Sequence, residues 1–206
     1  MVIDKTYTDL NSATFKRYNK YIKGYQINHA LILDEDLTIN LDGPLHVDGD
    51  IRIKGNFISN VSVEVRSAAK VVINGDVNVT DLFGNIDIKI GGNLNAHIID
   101  CFGIIVDKNV TAEEICAYFV AIKGNATLNV FNVEQQLIVG ENLHANKIWG
   151  HLEEDPDNDT KTWLVEAGQK IRCKKLKAYI IHQNVKDIKK SLRDCMAEID
   201  REYCEK

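Results

Sequence analysis

The chain lacks the segments that would direct it into or across a membrane. No apolar run approaches the ~18–20 residues that a transmembrane helix needs, and the first twenty residues contain no apolar core of a signal peptide. Only two prolines interrupt the 206 residues, and no low-complexity tract is present, which argues against extensive disorder. We therefore expect a folded, cytoplasmic protein without a membrane span.

Paired cysteines, positive charge and known catalytic motifs are also missing. The five cysteines are odd in number and none has CxxC spacing, so the sequence predicts neither a disulfide framework nor a zinc site. The net charge of −5 disfavours a nucleic-acid-binding protein, because such proteins usually present a basic surface. The phosphate-binding loop, the serine-hydrolase elbow and the zinc-protease motif are absent. No cofactor is predicted.

What the sequence does contain is a short phrase that recurs between His46 and Ala145. Its centre is an Asp or Asn, often preceded by Gly, with apolar residues on both sides. Gly-Asp and Gly-Asn pairs predict a sharp corner because both residues tolerate positive φ, and stacked Asn side chains can hydrogen-bond to one another. The copies are VDGDIRI (Val47–Ile53), INGDVNV (Ile73–Val79), IGGNLNA (Ile90–Ala96), VDKNVTA (Val106–Ala112), IKGNATL (Ile122–Leu128) and VGENLHA (Val139–Ala145).

The Asp or Asn at the centre of the phrase serves as the reference residue of each repeat. The reference residues are Asp36, Asp50, Asp76, Asn93, Asn109, Asn125 and Asn142, with Lys170 in a degenerate last copy. Most steps between them are 16 or 17 residues long. We interpret the two long steps, of 26 and 28 residues, as repeats with insertions near residues 57–70 and 151–162.

The residues that follow each reference residue have the pattern of a half-buried strand. Positions one and three after it are apolar, and position two is polar. A further apolar column stands six positions after it, at Leu82, Ile99, Ile115, Phe131, Ile148 and Leu176. A unit of this size cannot bury its own apolar side, but stacked copies can. The sequence therefore predicts an all-β fold, a single-stranded β-solenoid (β-helix) of about eight coils with 16–17 residues per coil, across residues 29–182.

Segments at both ends depart from the repeat. Residues 1–28 are rich in aromatic side chains, and we expect them to cap the core, with a helix across Ala13–Ile22 that ends at Gly24. Residues 183–206 are predicted to form an amphipathic helix on the end or side of the solenoid. Four aromatic residues outside the core columns are expected to lie under this helix or to meet a partner: Phe83, Phe102, Tyr118 and Trp149.

The second insertion contains a candidate calcium site. Asp155, Asp157 and Asp159 alternate, and Glu166 follows eleven residues after Asp155, a spacing that matches a calcium-binding loop. Thr160 stands where the sharp turn of such a loop needs Gly, and Glu166 falls in a predicted strand. We favour a solvated acidic loop over a metal site.

An enzyme with its site near this loop is the alternative to a non-catalytic role. His144 and His151 are the candidate catalytic residues, by analogy with acyltransferases built from left-handed β-helices. The 16–17-residue period breaks the hexapeptide register of those enzymes. A carbohydrate-active β-helix would need paired carboxylates on an outer stripe, whereas the predicted outward column holds Asn, Thr, His and Arg.

The phrase GDIRIKGN, together with GDVNV and GNLNA, resembles the coils of bactofilins, which are bacterial polymer-forming cytoskeletal proteins. The resemblance covers about Leu31–Tyr179. It implies a right-handed solenoid and a scaffolding or protein-interaction role without a cofactor, with a protein partner or self-association. This chain departs from bactofilins in its two insertions and in its structured ends. Caps at both ends would block head-to-tail growth into filaments.

Overall fold

The computed structural model describes residues 1–4, 16–18, 24–66, 69–150 and 162–202. These ranges contain twenty β-strands and one α-helix, α1, at Ile188–Glu202. The strands are β1 Val2–Asp4, β2 Lys16–Tyr18, β3 Gly24–Ile27, β4 Leu31–Leu33, β5 Leu37–Asn40, β6 Leu45–Asp48, β7 Ile51–Ile53, β8 Phe57–Ser59, β9 Val63–Arg66, β10 Lys70–Ile73, β11 Val77–Phe83, β12 Asp87–Ile90, β13 Leu94–Asp100, β14 Gly103–Val106, β15 Val110–Ile122, β16 Ala126–Val139, β17 Leu143–Trp149, β18 Thr162–Ala167, β19 Ile171–Leu176 and β20 Ala178–Gln183.

The strands stack in parallel on three faces of a β-solenoid of about nine turns, which confirms the predicted fold class. Face one is formed by β1, β5 and β8 and by the first halves of β11, β13, β15, β16, β17 and β19. Face two is formed by β3, β6 and β9 and by the later parts of those same long strands. Face three is formed by β4, β7, β10, β12, β14, the ends of β15 and β16, β18 and β20.

The core is the set of inward-facing columns on these three faces. The predicted column six positions after the reference residue is confirmed, since Leu82, Ile99 and Ile115 lie in register and are fully buried. On face three the inward column runs through nine coils: Leu31, Ile51, Val71, Ile88, Ile104, Val120, Leu137, Val165 and Ile181. Each fully buried Val, Leu or Ile contributes about 1.5–3 kcal/mol, so every stacked coil adds stability.

The strand register corrects the assignment of one reference residue. The repeat spacing predicts that Asp50 stacks between the reference residues Asp36 and Asp76. Asn56 takes this position instead, because Phe57, which follows it, pairs with Leu37 and with Val77 on face one. Asp50 instead precedes β7 on face three. The Gly-Asp signal encodes a sharp turn and is the same at every corner, so it does not reveal which corner it forms.

The same register shows that residues 57–70 are not an insertion. They contain β8, β9 and the start of β10, all paired within the solenoid. The first two complete coils are therefore 20 residues long, from Asp36 to Asn56 and from Asn56 to Asp76. The coils that follow shorten to 16 or 17 residues, apart from the coil that contains residues 151–161.

The reference residues form a continuous ladder of hydrogen bonds along one corner. The side-chain Oδ1 of each one accepts the backbone N–H of the next, at N···O distances of 2.7–3.5 Å. Between Asp76 and Asn142 each Nδ2 also donates to the preceding Oδ1. The ladder ends at Lys170, whose side chain has no acceptor oxygen.

Glycine precedes the ladder residues for a different reason from the one expected. In the described ranges positive φ occurs only at Gly49, Gly84 and Asn184, so these corners do not depend on it. A Cβ on Gly75 would lie 2.5 Å from Oδ1 of Asn56, and one on Gly92 would lie 2.2 Å from Oδ1 of Asp76. At these two corners glycine leaves room for the ladder oxygen of the preceding coil, whereas Lys108 and Glu141 hold the same position before Asn109 and Asn142.

The N-terminal end is covered by short strands. β1 pairs in parallel with β5, and Ile3 is fully buried. The helix predicted across Ala13–Ile22 is wrong at Lys16–Tyr18, which forms β2, antiparallel to β3. The pairing with β3 overrides a weak local helix preference, as tertiary contacts commonly do. The rest of the predicted helix lies outside the described residues.

Helix α1 confirms the predicted C-terminal helix and lies on the side of the solenoid. Its apolar residues Leu192, Cys195 and Ile199 are buried against face three, in a second apolar cluster with Ile105, Phe119, Ala121 and Ile138. Of the aromatic residues outside the core, Phe102 packs against this cluster and stacks on Tyr118 at a centroid distance of 5.0 Å. Trp149 is 39% exposed.

Candidate functional site

No described residues stack on the last coil of the solenoid, because α1 packs on the side of the fold. β19 pairs with β17, and β20 pairs with β18, but no described strand pairs with the opposite edge of either. Ile181 occupies the inward column of face three and is 46% exposed, whereas Leu137 and Val165 in the same column are fully buried. Of the two positions predicted for this helix, the end and the side of the solenoid, the described residues 188–202 take the side.

This open edge is strongly basic. The segment between Ala167 and Lys186 contains no Asp or Glu. Its exposed cations are Lys170, Arg172, Lys174, Lys175 and Lys177. Arg172 and Lys174 alternate along β19 with the partly buried Ile171 and Cys173, so two cations project from the same outer face of the strand. The net negative charge of the whole chain conceals this local concentration of positive charge.

Exposed apolar side chains adjoin the basic strand. Trp163 and Tyr179 contact each other at a centroid distance of 5.5 Å and are 54% and 63% exposed. Ile180 and Ile181 are exposed beside them on β20. The last coil thus combines a backbone edge that no described strand pairs, fixed positive charge and apolar surface.

The backbone of β19 can form hydrogen bonds to a further strand. In the preceding coils the first strand residue donates its N–H to the next coil, as Leu143 does to the carbonyl of Lys170. No described strand follows β19 on face one, and the N–H of Ile171 donates to the side-chain Oε1 of Gln183 at 3.4 Å. A long contact of this kind is weak, so an added strand could replace it. An edge of unpaired donors and acceptors is a ready template for a further strand.

The predicted catalytic and metal residues are not brought together among the described residues. His144 is exposed on face one between Thr127 and Arg172, and it has no carboxylate partner among the groups described. Glu166 lies in β18, nearly buried, with its Oε1 2.8 Å from Nδ1 of His182. His151, Asp155, Asp157 and Asp159 lie outside the described residues. Within those ranges no three His, Cys, Asp or Glu side chains are grouped to hold a metal ion.

The described cysteines are poor nucleophiles. Burial raises the pKa of the Cys195 thiol to about 12 and is also the largest cause that raises the pKa of Cys116 to about 12. Burial likewise raises the pKa of Cys101 well above its ordinary value. Because the thiolate is the reactive form, these side chains act as small apolar residues at neutral pH.

One of the histidines that lie beside a carboxylate is His46, which the repeat pattern did not single out. Nδ1 of His46 lies 2.6 Å from Oε2 of Glu64 and 3.0 Å from Nη2 of Arg66. The observed pairing of β6 with β9 places His46 beside Glu64. The prediction that residues 57–70 form an insertion left β9 out of the solenoid, and so did not foresee this contact.

The fold places the protein in the class of β-solenoid repeat proteins, here with a basic last coil that no described strand covers. No known family model, no curated protein and no solved structure matches the chain. The helix found in the described ranges is too short and too polar to cross a lipid bilayer.

Proposed function

We propose that the protein is a non-catalytic scaffold that binds another protein through its last coil. The partner contributes an acidic, extended segment, which adds to β19 as one more strand. The observation that carries this proposal is the open edge of β19 with its row of exposed cations. The resemblance of the repeated phrase to bactofilin coils supports a scaffolding role of this kind, and we propose that the protein acts in the cytoplasm.

Strand addition explains both the affinity and the selectivity of such a site. Backbone hydrogen bonds to an edge strand supply affinity, and alternate side chains supply specificity. An incoming segment with alternating acidic and apolar residues would place its carboxylates beside Arg172 and Lys174 and its apolar side chains over Ile171 and Cys173. Exposed ion pairs contribute only about 0.2–1 kcal/mol each. The charged residues therefore contribute more to selectivity and to the association rate than to affinity.

A pair of synthetic peptides tests the proposal. The probes are two fluorescein-labelled heptapeptides, one alternating Val with Glu and the other alternating Val with Lys, with binding to the full chain followed by fluorescence anisotropy. We expect the acidic probe to bind at least about tenfold more tightly, a difference of about 1.4 kcal/mol. Its binding should weaken as ionic strength rises from about 50 mM to about 300 mM, because screening grows.

Matched charge reversals locate the site. The double variant Arg172→Glu, Lys174→Glu should lose the preference for the acidic probe. The double variant Lys54→Glu, Lys108→Glu changes the net charge equally but at exposed corners of other coils, and it should retain the preference. Equal binding of both probes, or an equal loss in both double variants, would rule out strand addition at β19.

A further inference from the structure

A groove opens on the outer surface where the coils change length. Eight positions separate Val63 from Val71 in the 20-residue coil, but six separate Leu82 from Ile88 in the next coil. The longer coil thus has two more residues than the shorter one at the corner between faces two and three. The resulting cavity has a volume of about 650 Å³ and is lined by Glu64, Val65, Arg66, Phe83, Gly84, Asn85 and Asp100.

A glycine lets the two coils meet at this corner. Gly84 has a φ of +153°, and a Cβ on it would lie 2.4 Å from the carbonyl oxygen of Val65. Only glycine allows the shorter coil to pass this close beneath the longer one. The backbone on this side of the groove is therefore formed before any ligand arrives.

The polar groups on one side of the groove are held in place. Arg66 donates from Nε to Oε1 of Glu64 at 3.1 Å, and His46, which is 5% exposed, contacts the other carboxylate oxygen. The hydrogen bond from Arg66 is the largest cause that lowers the pKa of Glu64 below its ordinary value. Glu64 is thus an ionised acceptor with a fixed orientation.

The remaining lining residues complete a mixed set of chemical groups. Glu64, Phe83 and Asp100 follow one another on three successive coils of face two. Phe83 offers apolar aromatic surface between two carboxylates. Glu64 and Asp100 are acceptors, Arg66 is a donor, and the amide of Asn85 is both.

We propose that this groove binds a neutral saccharide of one or two rings. A cationic ligand would meet Arg66, and an anionic ligand would meet Glu64 and Asp100, so neither charge suits the whole lining. A sugar hydroxyl both donates and accepts, and can therefore use carboxylates, guanidinium and amide together. The apolar face of a sugar ring can pack on Phe83, as ligand sites commonly combine aromatic surface with a few oriented polar groups. The site is distinct from β19 and independent of the proposed strand addition.

The test uses the full chain and defined sugars. Maltose, cellobiose and chitobiose serve as neutral probes, and glucosamine and glucuronate serve as charged probes, with binding followed by amide chemical shifts and by calorimetry. At least one neutral probe should shift the amide signals of Arg66, Gly84 and Asn85 and bind more tightly than both charged probes. Phe83→Ala and Asn85→Ala should each weaken that binding at least about tenfold.

Trp149→Ala is the control, because Trp149 is an exposed aromatic residue on the outside of face two, the face that also carries the half-buried Phe83. It should leave sugar binding unchanged. Thermal unfolding checks that each variant is folded, and Asn85→Ala, at an exposed corner, carries the test if Phe83→Ala unfolds. The proposal is overturned if no neutral probe shifts these signals, if a charged probe binds more tightly, or if the control weakens binding as much.

Discussion

Removal of one amide from the ladder should destabilise the solenoid by a predictable amount. Oδ1 of Asn109 accepts the backbone N–H of Asn125 at 2.9 Å and its Nδ2 at 3.2 Å, while Nδ2 of Asn109 donates to Asn93 at 3.2 Å. Asn109→Ala removes all three hydrogen bonds. A net hydrogen bond contributes about 0.5–1.5 kcal/mol, and water can reach this exposed corner, so the low end applies to each. The expected loss is about 1.5–2 kcal/mol.

This loss is large enough to measure. For a domain of this size, 1 kcal/mol corresponds to about 2–4 °C in Tm, so Asn109→Ala should lower Tm by about 3–8 °C in calorimetry. Asn109→Asp keeps the acceptor oxygen and loses only the donation to Asn93, and it should cost about 0.5–1 kcal/mol. Asp already occupies the ladder at Asp36 and Asp76.

A control separates the ladder from ordinary surface contacts. Asn95 makes a single side-chain hydrogen bond, to Oδ1 of Asn78 at 3.1 Å, on the outer surface of face one. Asn95→Ala should therefore cost no more than about 0.5 kcal/mol. The reasoning fails if Asn109→Ala is no less stable than Asn95→Ala, or if Asn109→Asp is as damaging as Asn109→Ala.

Two further predictions concern ionisable groups. The backbone N–H of Asn93 lowers the pKa of Asp76 below its ordinary value of 3.8, so the stability from its ionised form is present above that value and is lost as pH falls through the folded pKa. Asp76→Asn should therefore lose less stability than the natural chain in urea titrations below about pH 4, and an identical acid dependence would contradict this. Cys195 lies on α1, where it is buried against face three with a pKa of about 12, so it should resist a thiol reagent at neutral pH unless the helix leaves face three. Leu192→Ala should speed its labelling, with Cys195→Ser identifying the signal, and an unchanged rate would show that α1 does not protect it.

The central coils could be predicted from sequence because their spacing is regular. From Asp76 to Asn142 every corner residue falls in the ladder, and the apolar columns keep their register. The first coils could not be predicted in the same way. Asp50 and Asn56 both follow a glycine, and only the pairing of whole strands shows which of them joins the ladder.

The candidate sites were harder to predict because they arise from differences between neighbouring coils. The groove beside Arg66 exists because one coil is longer than the next, and its residues stand in no common motif. The apolar stripe of α1 predicted that one face of the helix is buried, but not whether it covers the end or the side. The basic edge of β19 is open because α1 lies on face three, a position that its apolar stripe does not determine.

The ladder also has a direction, and that direction makes each coil a module. Every side-chain oxygen on it faces the coil that comes later in the chain, so a coil inherits its corner contact from its predecessor and offers the same contact to its successor. Duplication or loss of one 16-residue unit between Asn93 and Asn125 would leave every remaining amide with a neighbour of the same kind. The number of stacked coils is therefore set by the number of Asp and Asn residues in the ladder, which ends at Lys170.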